Sequence, residues 1–304
     1  MNDFFWNPYI TRILALKLED GGFVNHRVRT YRPDVTAWAI LLLNSLSSTS
    51  HTTVIQQART RLTQDQQPDG SIPISSDQPH AIWPTPLSIL AWHGSSSHRQ
   101  YEEQAVQFLL EHTGFHMEKM DGNAIARHDT SIPGWPWIMH THSWVQPTAL
   151  SMIALSMNGH DTHERVLQSE QMLLDRQLPQ GGWNYGNTTI LGQELQAFPE
   201  STGLALSALS GRIPQTTVQQ SLNYLLEALP RLRTPISLCW GVLGLQAWNM
   251  APQSTESWLR DCLKSESRYG EYDPASLCLL LGTMMAQGGI KSLAASPESI
   301  YSIA

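Results

Sequence analysis

The chain has 304 residues, 41% of them hydrophobic, with a formal net charge of −7, 11 tryptophans and three cysteines. That charge, without a Lys/Arg cluster, excludes nucleic acid as a partner, because phosphate neutralisation needs a basic footprint. No stretch of about 18 apolar residues is present to span a bilayer, although a peripheral membrane contact stays open. Three cysteines, with Cys239 and Cys278 inside apolar runs, suit small buried hydrophobes in a reducing cytosol rather than a disulfide framework, so the chain is expected to be cytoplasmic.

Taken in chain order, six runs of small and apolar residues open on proline: Pro33-Asp34 before VTAWAILLL, Pro84 before TPLSILAW, Pro147 before TALSMIAL, Pro199 before ESTGLALSAL, Pro235 before ISLCWGVLGL and Pro274 before ASLCLLLG. Proline is tolerated at a first helical turn, where its missing N–H has no partner to lose, so each run reads as a helix starting at its proline. Between them lie segments near 8–19, 53–66, 100–113, 162–176, 217–229 and 254–264 with polar surfaces and an apolar stripe, such as Ala105, Phe108 and Leu109 in one and Val166, Leu173 and Leu174 in another. Helices apolar all round need cover all round. The reading is therefore an all-α fold, an α/α toroid (α6/α6 barrel) of six helical hairpins in a single domain over residues 1–304. Its inner helices share one direction, and their N-termini gather at one mouth.

The turns carry a second pattern. Gln177, Gly181 and Trp183 fit a Q-x3-G-x-W spacing, Gln66, Gly70 and Ile72 fit it without the aromatic, and Lys17, Gly21, Phe23 and Glu266, Gly270, Tyr272 fit it loosely. These repeats resemble those of the terpene cyclase/prenyltransferase superfamily, which includes the squalene-hopene cyclases. Its members fold as α/α toroids and carry such QW motifs, and the resemblance runs over nearly the whole chain. A structural reading of the motif has the glutamine capping a neighbouring helix end while the aromatic stacks. Residues 115–146, with Trp135, Trp137, Trp144, His116, His128, His140 and His142, interrupt the rhythm and read as a lid-like insertion over the mouth.

The resemblance also points to chemistry. Class II terpene cyclases use a D-x-D-D-T-A segment as their acid. Laid over Arg32-Pro33-Asp34-Val35-Thr36-Ala37 by its Thr-Ala end, that segment leaves one of three carboxylates, Asp34. Asp34 is thus a proton donor or a helix cap. The zinc prenyltransferases instead carry an aspartate and a cysteine two residues apart, with a histidine on the next inner helix. At the matching positions here, Ser237, Cys239 and Ala275, only the cysteine remains, so no zinc and no cofactor are expected, and His140-x-His142 is at most an incidental pair. Glu200 and Asp273 start two further inner helices and join Asp34 as candidate catalytic acids around one opening. Trp38, Trp83, Trp135, Trp137, Trp144, Trp240 and Tyr31 are the candidate substrate-binding wall, where aromatic faces would hold an apolar chain and stabilise a carbocation.

Three readings follow. The first is acid-initiated cyclisation or isomerisation of an apolar isoprenoid or polyene in a central cavity, by a terpene-cyclase-like isomerase or lyase. The second is a non-catalytic toroid that binds an apolar ligand or partner. The third is an α/α-barrel hydrolase of glycosidase type using the mouth carboxylates. The sequence says nothing of oligomeric state.

Overall fold

The computed structural model describes residues 6–25, 29–46, 49–118 and 127–295. Six helices form an inner ring: α2 (Pro33–Ser45), α4 (Pro84–Trp92), α6 (Val145–Met157), α8 (Pro199–Leu209), α10 (Pro235–Ala247) and α13 (Pro274–Met285). Six surround them: α1 (Asn7–Leu14), α3 (Thr52–Thr63), α5 (Arg99–Glu111), α7 (Glu164–Asp175), α9 (Gln219–Ala228) and α11 (Thr255–Lys264), the last followed by the single-turn α12 (Glu266–Tyr269). Each inner helix packs on the next in chain order, and α13 packs back on α2. The expected α/α toroid is the observed fold.

Burial explains the two layers. From Pro33 to Leu43 every residue of α2 is buried, and α4 is covered along almost its whole length, whereas α5 buries Ala105, Val106, Phe108 and Leu109 on one side. Five inner helices open on their proline; α6 begins two residues earlier, at Val145, with Pro147 in its third position. Proline is harmless there too, because the first four amides of a helix have no partner inside it.

Inner helices lead to outer ones through short turns, such as 93–98 and 158–163, while long loops such as 64–83, 112–144 and 176–198 lead from outer helices to inner ones. The inner N-termini therefore share their face with the long loops. At the opposite face the chain after α13 passes under the ring to α14 (Lys291–Ala294), which packs on α2, and Asn44 donates to the Ala295 carbonyl. That end of the barrel is covered by the chain itself.

Four threonines tie the layers together. The backbone N–H of Phe23, Ile72, Trp135 and Trp183 donates at 2.9 Å to the hydroxyl of Thr36, Thr85, Thr148 and Thr202, one near the start of each of α2, α4, α6 and α8. The motif residues then reach sideways: Gln66 donates to the Tyr101 carbonyl of α5, Gln177 to Ser221 of α9, and Glu266 accepts from Arg12 of α1. Gly70 has φ +93°, and a Cβ there would lie 2.2 Å from the Gln104 carbonyl oxygen, so the turn seats directly on the next outer helix.

The segment 115–146 contains a further repeat turn. Trp135 makes the same bond to a helix-start threonine as Phe23, Ile72 and Trp183, so Gly134-Trp135 is the repeat turn of the third hairpin and the rhythm is lengthened, not broken. Residues 119–126 of that segment lie outside the described residues. What is described crosses the long-loop face: Met139 N–H donates to the His80 carbonyl, Val145 N–H to that of Tyr185, and the buried Arg176 reaches both the Gly186 and Asp129 carbonyls.

Candidate active site

The threonine bonds set a register for the inner surface. An α-helix turns about 100° per residue, so positions two before and two after an outward-bonded threonine lie on the opposite, lumenal side. The upper positions are Asp34, Trp83, Gln146 and Glu200; in α10 and α13, Ile236 and Ala275 follow the opening proline directly, as Asp34 and Glu200 do in α2 and α8. The lower positions are Trp38, Leu87, Leu150, Leu204, Trp240 and Leu279. These six keep 2–8% exposure, where most of their neighbours in the middle of the helices are at 0–1%. The upper set forms a rim and the lower set a floor.

Trp38 and Trp240 meet edge to face with ring centroids 5.8 Å apart. Their helices, α2 and α10, are separated in the ring by α13, so the two indoles bridge part of the lumen. Asp34 stands four residues before Trp38 on the same face of α2, one turn nearer the mouth.

Asp34 is 5% exposed, and both its oxygens accept from one guanidinium, Arg32 Nε at 2.8 Å and Nη2 at 2.9 Å. Arg32 is itself the N-cap residue of α2 and makes no side-chain cap bond, its guanidinium being spent on Asp34. The capping expectation for Asp34 is thereby replaced by a bidentate ion pair, the geometry in which a guanidinium fork grips a carboxylate. Glu200, on the opposite helix α8, is half-buried and accepts from the Ser237 hydroxyl at 2.8 Å. Asp273 is exposed and accepts from the Ser276 N–H, so it is the N-cap of α13 and stands two residues outside the rim position Ala275. The two rim carboxylates are therefore Asp34 and Glu200.

The aromatic candidates divide. Trp38 and Trp240 form the floor. Trp83, on the rim, packs edge to face with Trp137 at 5.9 Å, and the half-buried Trp144 lies against His142 at 4.8 Å, so these three build a collar over α4 and α6. Trp135 is 1% exposed, donates from its indole to the Leu109 carbonyl of α5, and has the Arg165 guanidinium 4.2 Å above its ring. It faces the outer layer, not the lumen. Tyr31 likewise lies under Arg61 of α3, 3.6 Å from its ring centroid, and burial first, then Asp65, raises its hydroxyl pKa. Phe198, the N-cap residue of α8, packs on Tyr185 with ring centroids 5.0 Å apart on the same long-loop face, a contact the sequence did not indicate.

The histidines make no metal centre: His140 packs on His80 and His142 on Trp144, and among the described residues no group of three His, Cys, Asp or Glu side chains could hold an ion. All three cysteines are free and buried, and burial pushes the Cys239 and Cys278 thiols up. The site thus combines an apolar aromatic floor, two rim carboxylates with different partners, Arg32 for Asp34 and Ser237 for Glu200, and one amide, Gln146, which donates to Ser201.

No family model matches the chain, and no curated protein does. Among solved structures it is similar to the type II terpene cyclase MstE from Scytonema in its apo form, with a TM-score of 0.63, 13% identity and 95% of each chain covered. A variant of that cyclase in complex with its substrate, geranylgeranyl dihydroxybenzoate, aligns with a TM-score of 0.61 at 14% identity over 95% of this chain and 97% of the other. The GH76A α-1,6-mannanase of Salegentibacter sp. aligns with a TM-score of 0.62 at 11% identity, covering 95% and 98%. In fold, the chain is a terpene-cyclase-like α/α toroid.

Proposed function

We propose that the chain is an enzyme that binds an apolar isoprenoid or polyene in the lumen and starts its cyclisation or isomerisation by protonation, acting in the cytoplasm. The observation that carries this reading is the stacking of Asp34 one turn above the Trp38–Trp240 floor on a single helix face. A proton delivered from that height to an alkene leaves a cation above two indoles, whose π faces attract positive charge by about 0.5–2 kcal/mol each. The floor also carries Leu87, Leu150, Leu204 and Leu279, apolar side chains that supply no nucleophile to quench it. In this scheme Asp34 carries the proton only when the Arg32 fork has opened, and Glu200, held by Ser237, is the acceptor across the ring.

The fork itself favours a second reading, a non-catalytic toroid that holds an apolar ligand, because a carboxylate gripped at both oxygens is a poor proton donor. Incubation with a panel of polyprenyl alcohols, prenylated benzoates and α-1,6-linked mannose oligosaccharides separates the readings. Cyclised or isomerised prenyl products support the enzyme. Binding without turnover supports the receptor, and mannoside cleavage would assign Asp34 and Glu200 to hydrolysis instead.

A further inference from the structure

A cleft of about 580 Å³, within the size of small-molecule sites, lies on the face opposite the mouth. The short turns 93–98 and 158–163, which join α4 to α5 and α6 to α7, border it together with the N-terminal part of α5. Both turns follow inner C-termini, so the cleft and the rim stand at opposite ends of the barrel. Arg99, Glu102, Glu103, Val106 and Gln107 recur at three- and four-residue spacing and form one face of α5 along the cleft wall.

Donors and acceptors are unevenly shared there. His93, the C-cap residue of α4, meets Glu102 Oε1 through Nδ1 at 3.0 Å. An ionised carboxylate only accepts, so the imidazole proton sits on Nδ1, and the neutral ring offers Nε2 as an acceptor. Asn158 donates its amide to the Ala154 carbonyl at 3.0 Å and Gln107 donates to Glu111 at 2.6 Å, which leaves each its own carbonyl oxygen as an acceptor. The Arg99 guanidinium is engaged with Glu103 at 2.8 Å. Glu102 is 7% exposed, and its Oε2 has no hydrogen-bond partner among the described residues. Arg59, buried and within electrostatic reach of that carboxylate, donates instead to the Ala91 and His93 carbonyls.

A wall whose side-chain donors are largely spent within the chain, and whose acceptors are not, suits a ligand that brings donors. Two carboxylates against one guanidinium on this helix face also favour a cation. A metal ion lacks its ligand set, since no three His, Cys, Asp or Glu side chains gather here among the described residues. Val106, one turn after Glu102 on the same face and 6% exposed, adds an apolar contact beside the carboxylate. We propose that this cleft is a second ligand site, which takes a small alkylammonium ion whose N–H groups bond Glu102 Oε2 and His93 Nε2 while its methylenes cover Val106. The site stands whether or not the lumen binds an isoprenoid.

Ligand-observed NMR titrations of the full chain with butylamine, 1-butanol and butyrate, which share a chain length and differ in the head, test it. Butylammonium binds, and the alcohol and the carboxylate bind about tenfold more weakly or not at all, because only the ammonium brings charge-assisted hydrogen bonds. Glu102→Gln removes the charge and lowers butylammonium affinity about tenfold, whereas Glu271→Gln, at an exposed acid outside the cleft, leaves it unchanged. A thermal melt shows whether the Glu102 variant is folded. Where it is not, Gln107→Lys at an exposed position sets a tethered ammonium against the same acceptors and abolishes binding. Equal affinity for the three heads, binding that survives both cleft variants, or a loss in Glu271→Gln as large as in Glu102→Gln overturns the site. So does absence of butylammonium binding at millimolar concentrations, whatever the lumen does with prenyl substrates.

Discussion

Asp34 and Thr36 lie two residues apart in one short match, yet they do different work. Thr36 holds the turn residue Phe23, and its counterparts at 85, 148 and 202 do the same. The Thr-Ala end of the segment is thus explained by architecture, and the catalytic argument falls on Asp34 alone. If Asp34 is the proton donor, Asp34→Asn keeps its size but removes the proton, and turnover on an active prenyl substrate falls roughly 10²–10⁴-fold with the thermal midpoint nearly unchanged. Retained turnover would point to Glu200. Thr202→Val leaves the Trp183 N–H without its buried acceptor and costs about 1–3 kcal/mol of stability, read as a lower urea midpoint. Ligand affinity should not follow, since Thr202 faces away from the lumen. From sequence, Asp34 was legible through its neighbours, Arg32 among them, but an Arg two residues upstream can either flank a carboxylate or grip it, and only the side-chain geometry shows the fork. Trp135 was read as wall because a tryptophan in a long loop carries no sign of which layer it faces; its donation to Leu109 decides that.

At the scale of helices, the prolines made the inner ring readable, since a residue that cannot donate marks a helix start whatever surrounds it. The third repeat turn was not readable: it lacks the glutamine, and its Gly134-Trp135 pair lies beyond an insertion. Helix contacts across the lumen were also hidden, because the Trp38–Trp240 pair joins helices adjacent neither in sequence nor in the ring. The α8–α10 contact is the tightest of these helix interfaces to test. Gly203→Ala places a methyl 1.9 Å from the Trp240 carbonyl oxygen, a clash side-chain motion cannot relieve, and should cost about 3 kcal/mol or more in urea unfolding. Gly282→Ala on α13, whose nearest neighbour would be a leucine methyl at 3.4 Å, is the control and should shift the midpoint little.

For the molecule as a whole, acid stability is set in part by the long-loop face. Burial, then Arg176, pushes the His128 imidazole down to about 4, and burial with Arg165 and Arg176 lowers His116 as well. A histidine whose folded pKa lies below its unfolded value of about 6.5 takes up its proton first in the unfolded chain. Its contribution is complete above pH 6.5 and is lost as pH falls toward 4. The thermal midpoint should therefore drop between pH 7 and pH 5, and His128→Gln should make that drop shallower. An equal drop in the variant would exclude His128 as a source.

The inner ring is complete only where α13 meets α2. Five of its junctions join inner helices that follow one another in the chain, each formed as the chain advances; the sixth is a seam between remote segments, whose closure carries the entropy cost of gathering the whole chain. An open solenoid can add or lose a repeat at its ends, with stability close to a sum over neighbours. A hoop has no such ends, and five staves without the sixth leave the flanks of α2 and α10 bare. Folding of this chain is thereby tied to its last junction, and a loosened seam releases every repeat at once rather than one after another.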